Sequence, residues 1–187
     1  MEIDKIIKKE IERKFLVKVK LSDKQLENFP KKQVYQCYIN GQTDALEVRA
    51  RCTDEKEFML NIKDVGNKIR NEITIPIDQD TFDVIWQIST PKQISKKRYY
   101  IPSPKNNNLI LEYDVFEDNL EGLVLVEFEN DDEKIVDNFI PEDWIGEEVT
   151  SFDEYKNRTL AIKGIPTPQE ELPYDKLRKE LEKTKKI

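Results

Sequence analysis

The sequence predicts a mainly β (α+β) fold: one eight-stranded antiparallel closed barrel, a tunnel with a polar lumen and peripheral helices. Three observations predict it. Period-two segments recur along most of the chain. Within them charged residues alternate with Ile, Val, Leu and Phe. Hydrophobic and charged residues each make up 37% of the chain, a balance that suits a barrel with a wet interior. The charges alternate with apolar residues instead of forming blocks, which argues against disorder. At 187 residues the chain is long enough for one well-buried domain and short for two.

Strands are predicted near residues 10–19, 34–40, 45–52, 57–63, 69–77, 95–101, 109–116 and 122–129. Gly66 with Asn67 marks the turn between the fourth and fifth. Pro102, Pro104 and Asn106 to Asn108 mark the turn between the sixth and seventh. Mostly sequential strands of this kind suit an antiparallel barrel. Ser22-Asp23-Lys24-Gln25 reads as a capping box, with Leu21 and Leu26 as its hydrophobic staple. Thr81 to Ile88 carries Phe82, Ile85 and Trp86 at helical spacing. Asp131 to Phe139 has acidic residues in its first turn, which suits a helix dipole. Residues 1–165 form the predicted tunnel domain. Pro166, Pro168 and Pro173 then begin a charged tail, residues 166–187, with a helix over Tyr174 to Lys186. Its apolar stripe is thin, so the tail is expected to be dispensable for chemistry. The rival expectation has it plugging one mouth or pairing with a second subunit, which leaves a homodimer open.

A net charge of −7 argues against nucleic-acid binding, which needs a basic surface. The chain has no histidine. That removes Ser-His-Asp and Cys-His mechanisms and imidazole-based zinc sites. Any metal is then held by oxygen, which favours Mg²⁺, Mn²⁺ or Ca²⁺. Cys37 and Cys52 lack zinc or redox spacing and read as ordinary thiols. No signal peptide or membrane span is visible, and a cytoplasmic location is expected.

The first strand carries the sharpest pattern. In Glu10-Ile11-Glu12-Arg13-Lys14, residues two apart share a face and stand about 6.6 Å apart. Two carboxylates and an ammonium side by side suit a divalent cation next to an anionic substrate. If the apolar parity of every strand faces outward under helices, the lumen holds acidic Glu10, Glu12, Glu47, Glu72, Glu112, Asp114, Glu127 and Glu129. It also holds basic Lys14, Arg49, Arg51, Lys63, Arg70, Lys96 and Arg98. The competing reading is open sheets with solvated charged faces. The chemistry favours the lumen: arginines clamp phosphate oxygens bidentately, and carboxylates hold the metal that phosphate also needs.

These motifs, in order, resemble the CYTH domain, or triphosphate tunnel metalloenzyme, family over about residues 9–165. Glu10 to Val17 matches its Glu-x-Glu-x-Lys opening, and Tyr35-Gln36-Cys37-Tyr38 its second strand. Glu47-Val48-Arg49-Ala50-Arg51 matches the arginine pair, Phe58 to Lys63 the strand ending in lysine, and Lys96-Lys97-Arg98-Tyr99 a Lys-Thr-Arg-Tyr element. Leu111 to Phe116 and Leu125 to Glu129 match the acidic strands. Trp144 to Thr150, followed by Tyr155, Asn157, Leu160 and Ala161, is close to the C-terminal signature. The chain departs from the family at Thr74, where many relatives carry a second acid, in the residues before Glu10, and in its tail.

The resemblance implies an eight-stranded tunnel and metal-dependent hydrolysis of inorganic triphosphate, with Mg²⁺ or Mn²⁺. It implies Glu10, Glu12, Asp114, Glu127 and Glu129 as metal ligands, and Lys14, Arg49, Arg51, Lys63 and Arg98 as phosphate ligands. Class IV adenylate cyclase, thiamine or nucleoside triphosphatase, and a non-catalytic triphosphate- or polyphosphate-binding module are the alternatives. With no histidine, the expected base is Lys63, its pKa lowered by neighbouring cations, or a carboxylate. Tyr38 is expected to orient the water. The expected partner is a triphosphate-bearing small molecule, with no nucleic acid and no membrane.

Overall fold

The computed structural model describes residues 7–39, 45–64 and 66–166. Its strands are β1 (Ile7–Val17), β2 (Lys31–Tyr38), β3 (Leu46–Thr53), β4 (Glu57–Asp64), β5 (Ile69–Pro76), β6 (Gln93–Ser103), β7 (Leu109–Phe116), β8 (Val124–Glu129) and β9 (Ile145–Glu148). Its helices are α1 (Asp23–Leu26), α2 (Gln79–Ile88), α3 (Glu133–Asp137) and α4 (Asn157–Lys163). The first eight strands close a ring in the order β1-β5-β4-β3-β2-β6-β7-β8, and every neighbouring pair is antiparallel. The eight-stranded closed barrel predicted from alternation is the fold observed.

β1 closes the ring by pairing with two strands in succession. Ile7 to Ile11 faces β5, and Glu12 to Leu16 faces β8. β9 adds outside the ring against Phe15 and Val17. In the β4–β5 turn a Cβ at Gly66 would sit 2.3 Å from the Ile69 carbonyl oxygen. Only glycine fits that approach.

The apolar parity faces outward and is covered. Ile11, Phe15, Tyr113, Val126 and Phe128 pack beneath Leu26 of α1 and beneath Val136 and Phe139 around α3. Phe139 stacks on Phe128 at 4.4 Å and tilts against Phe15 at 5.6 Å. On the other side α2 lays Phe82 over Cys37, Ala50 and Cys52, and both cysteines are free and buried. Ser22 supplies the capping box of α1, its backbone N–H donating to Gln25 Oε1 at 3.0 Å. α2 starts two residues before the predicted span, because the Asp78 side chain accepts from the Thr81 N–H at 2.7 Å. α3 is shorter than predicted and is capped by Asp132.

One end of the barrel is apolar inside. Tyr38, Ile94, Phe116 and Leu125 share the lumen parity, and they pack with Val149 and with Leu160 of α4. The predicted tail helix, Tyr174 to Lys186, lies outside the described residues. Among those described, no helix is long and apolar enough to cross a membrane.

Candidate functional site

Strand pairing sets partners side by side on one face of the sheet, so the registers map the lumen. Across β1 and its neighbours Glu10 faces Arg70, Glu12 faces Glu129, and Lys14 faces Glu127. Round the wall Glu47 faces Lys63, Lys63 faces Glu72, Arg51 faces Gln36, and Arg49 faces both Tyr38 and Asn61. Arg98 faces Asp114, and Glu112 faces both Tyr100 and Glu127. Part of this set, including Glu10, Arg49, Arg51, Lys63, Arg98 and Glu129, lines a cavity of about 330 Å³. Glu12 and Lys14, with Arg49, line a room of about 20 Å³ towards the apolar end, with Val149, Phe152 and Tyr155 also on its walls.

The ring order gives this cavity two unlike walls. β3, with Arg49 and Arg51, stands four strands from β8 in either direction around the ring, so it lies across the lumen from Glu127 and Glu129. β1 and β7 flank β8 and add Glu10, Glu12, Glu112 and Asp114.

On the acidic wall Arg98 is a hub. Its Nε and Nη2 donate to the two oxygens of Asp114, both at 2.7 Å. Nη2 also donates to Glu127 Oε2 at 2.6 Å, and Nη1 pairs with Glu112. Lys96 donates to Asp114 Oδ2 at 2.6 Å, and Lys14 lies 2.8 Å from Glu127 Oε1. Burial alone would raise the Glu127 carboxyl, but Lys14, Lys96 and Arg98 hold it well below its ordinary value. Glu112 goes the other way. Burial, with help from Glu127 and Asp114, outweighs Arg98 and pushes it up to about 7.

The β1 carboxylates differ from these. Glu10 Oε1 accepts from Lys63 Nζ at 2.5 Å. Its Oε2 is buried without a hydrogen bond, although Arg70 Nη2 lies 2.9 Å away. Lys63, Arg70 and Arg49 overcome burial and hold Glu10 at about 2. Glu12 meets Arg70 through one oxygen, at 3.0 Å, and Glu129 meets Lys8 through one oxygen, also at 3.0 Å. Burial raises Glu12 above the ordinary range, Lys14 and Arg70 opposing and Glu127 and Glu10 adding. Among the described residues no three acidic side chains converge closely enough to hold a metal ion as they lie.

On the basic wall the cations are less satisfied. The Nε atoms of Arg49 and Arg51 are buried without a hydrogen-bond partner. Arg49 reaches Glu72 only at 3.9 Å. Arg51 has no ion pair among the described residues, and burial, Arg49 and Arg98 all depress its pKa. Burial, then Arg49 and Arg70, lower Lys63 against the pull of Glu10 and Glu72. Tyr38 is fully buried and its hydroxyl accepts from Gln36 Nε2 at 2.8 Å. Burial and Glu47 raise its pKa, so it stays a phenol.

The structure therefore brings all eleven sequence-predicted site residues to the lumen face of the barrel, with Tyr38 at the apolar end. It separates them by occupancy. Asp114 and Glu127 have both oxygens filled by cations, whereas Glu10, Glu12 and Glu129 each keep an oxygen without a hydrogen bond among the described residues. Lys14 and Arg98 are bound to carboxylates, and Arg51 is not. Gln36, Asn61 and Asn157 also line the site and were not singled out from sequence as site residues. The first two share parity with Tyr38 and Lys63, which was the signal for them.

No family model matches the chain. It is 38% identical over 157 residues to an inorganic triphosphatase of Nitrosomonas europaea, covering 84% of this chain and 99% of that protein. It is 32% identical to an inorganic triphosphatase of Acetivibrio thermocellus, covering 82% and 93%. A crystal structure of an inorganic triphosphatase superposes with a TM-score of 0.62 at 34% identity, over 84% of this chain and 97% of that one.

Proposed function

The chain belongs to the CYTH domain, or triphosphate tunnel metalloenzyme, family, in its bacterial inorganic triphosphatase branch, and it is a triphosphatase; from that premise we propose that it cleaves a phosphoanhydride bond of inorganic triphosphate inside the charged lumen with Mg²⁺ or Mn²⁺. The observation that carries the reading is the pair Arg49 and Arg51. Their buried Nε atoms lack partners and face a carboxylate wall across the barrel. A buried guanidinium N–H without a partner is costly unless something anionic comes to it.

The donor set fits a hard divalent cation. Every ligand available is oxygen, the carboxylates crowd one wall, and Glu10 Oε2, though 2.9 Å from Arg70 Nη2, is buried without a hydrogen bond. Glu10, Glu12 and Glu129 would hold the ion with small side-chain movements, and Glu127 and Asp114 would join by exchanging a cation for it. When bound, the ion neutralises charge on the phosphates and can lower the pKa of a water.

Phosphoryl transfer is mostly positioning and charge neutralisation. Arg49 and Arg51 grip phosphate oxygens in forks, with Lys14 as a point charge and Lys63 as a second once it has taken up a proton. Arg98 is held by Asp114, Glu127 and Glu112 and would reach a phosphate only by giving up one of these partners. Lys63 is the base we favour, with a carboxylate as the alternative, and Tyr38 orients the water through its hydroxyl. The test is phosphate release with product analysis on inorganic triphosphate, ATP and thiamine triphosphate, each with Mg²⁺ or Mn²⁺. The reading requires inorganic triphosphate to have the highest kcat/KM. A cyclic product from ATP, or tight binding of triphosphate without turnover, would overturn it.

A further inference from the structure

Outside the barrel, between its wall and α2, lies a second cavity of about 300 Å³. Tyr35, Phe58, Phe82 and Trp86 form its sides, and Cys52 lies at its base. Tyr35 and Cys52 alternate along their strands with Gln36 and Arg51 of the lumen, so the sheet separates this cavity from the triphosphate site. The rings are inclined to one another around it. Tyr35 meets Trp86 edge-on at 6.0 Å, Phe82 stacks on Trp86 at 5.8 Å, and Phe58 tilts against Phe82 at 5.5 Å.

The charge around these rings has one sign. Glu55 and Asp83 stand at the rim, and no lysine or arginine lines the cavity, in a chain that carries 31 of them. Neither carboxylate has an ion pair or a hydrogen bond among the described residues. Burial first, then Glu55, Asp83 and Asp54, raise the Cys52 thiol above its ordinary value, so the field inside is negative. The Asp54-Glu55 turn has φ of 52° and 55°, the left-handed region where glycine or asparagine is favoured. Asp54 has a local reason to be there, since its Oδ1 accepts the Gln33 N–H at 2.8 Å. The Glu55 carboxylate has none among the described residues.

We propose that this cavity binds a small organic cation, a quaternary ammonium or a flat aromatic cation, held against the four rings and neutralised by Glu55 and Asp83. Aromatic faces attract cations, an anion meets two carboxylates there, and a neutral ligand leaves both unpaired. The site stands independently of the triphosphatase reading.

The test uses the full chain without substrate or metal, with benzyltrimethylammonium as probe and benzyl alcohol as its neutral counterpart. The indole N–H resonance of Trp86 reports on the cavity. That of Trp144, packed on Tyr113 elsewhere, is the internal control. The cation should shift Trp86 saturably and leave Trp144 in place, and benzyl alcohol should bind at least about tenfold more weakly. The double variant Glu55→Gln/Asp83→Asn changes only exposed side chains, and its affinity for the cation should fall by about tenfold or more. Equal binding of alcohol and cation, unchanged affinity in the double variant, or no saturable shift of Trp86 would each overturn the proposal.

Discussion

Arg51→Ala separates substrate grip from fold stability, because Arg51 has no ion pair among the described residues and stands near two other guanidiniums, Arg49 and Arg98. Removing it leaves no carboxylate stranded and relieves like-charge repulsion, so the fold should lose nothing. The substrate should lose a charge-assisted contact of about 1.5–3 kcal/mol, a ten- to hundredfold fall in kcat/KM. Arg51→Lys should recover only part of it, since a fork becomes a point contact. Arg98→Ala is the contrast. It strands Glu112 and leaves Asp114 and Glu127 with one cation each, Lys96 and Lys14, and uncompensated buried charge costs about 3–5 kcal/mol. At about 2–4 °C per kcal/mol for a chain of this size, that is a melting shift of about 6–20 °C. Phosphate-release kinetics and thermal denaturation measure both quantities. An Arg51→Ala variant that melts several degrees lower yet keeps its kcat/KM would refute the reasoning, because Arg51 would then be an ion-pair partner and no anion seat.

Glu12→Gln and Glu129→Gln should each abolish turnover without unfolding the chain, and activity lost to EDTA should return with Mg²⁺ or Mn²⁺; full activity in chelator would remove the metal. Leu160→Ala opens the apolar end of the barrel and should cost about 2–5 kcal/mol of stability by denaturant titration. The Arg13 hydrogen bond holds the Glu148 carboxyl below its ordinary value of 4.5 against burial, with help from Thr150. A depressed folded-state pKa stabilises above the unfolded value and is lost as pH falls through the folded one. The melting difference between wild type and Glu148→Gln should therefore be present at neutral pH and shrink below about pH 4.5. A chain ending at Ile165 should keep its triphosphatase activity and most of its melting temperature; loss of turnover, or conversion of a dimer to a monomer on a sizing column, would favour the rival role for the tail.

The barrel was legible because a lumen writes itself into sequence at period two. Glu10-x-Glu12-x-Lys14 and Arg49-x-Arg51 needed only parity to be placed inside. β9 was not legible. It has four residues, includes Gly146, and pairs with only Phe15 and Val17, too short a stretch for alternation to show. α4 spans seven residues with no side-chain cap, so its only signal was the motif around Asn157. Parity also says nothing about which cations are already paired. Arg51 and Arg98 look alike in sequence, and the register of β6, β7 and β8 gives one of them three carboxylates. The apolar end was hidden for a similar reason: Ile94, Phe116 and Leu125 continue the parity of charged neighbours, and only the position of Leu160 and Val149 shows that this stretch is filled.

That filled end has a kinetic consequence. The room behind Arg49, about 20 Å³, is close to the minimum for a single water, so no phosphate leaves that way. Whichever anhydride breaks, the fragment seated deeper waits for the outer one to diffuse out. Release is ordered by depth. The last product out is then the one that competes with fresh substrate for the empty enzyme, and the first gives noncompetitive inhibition. The pattern of product inhibition by orthophosphate and pyrophosphate would thus report which fragment sits deeper, and so whether the inner or the outer anhydride bond is cut.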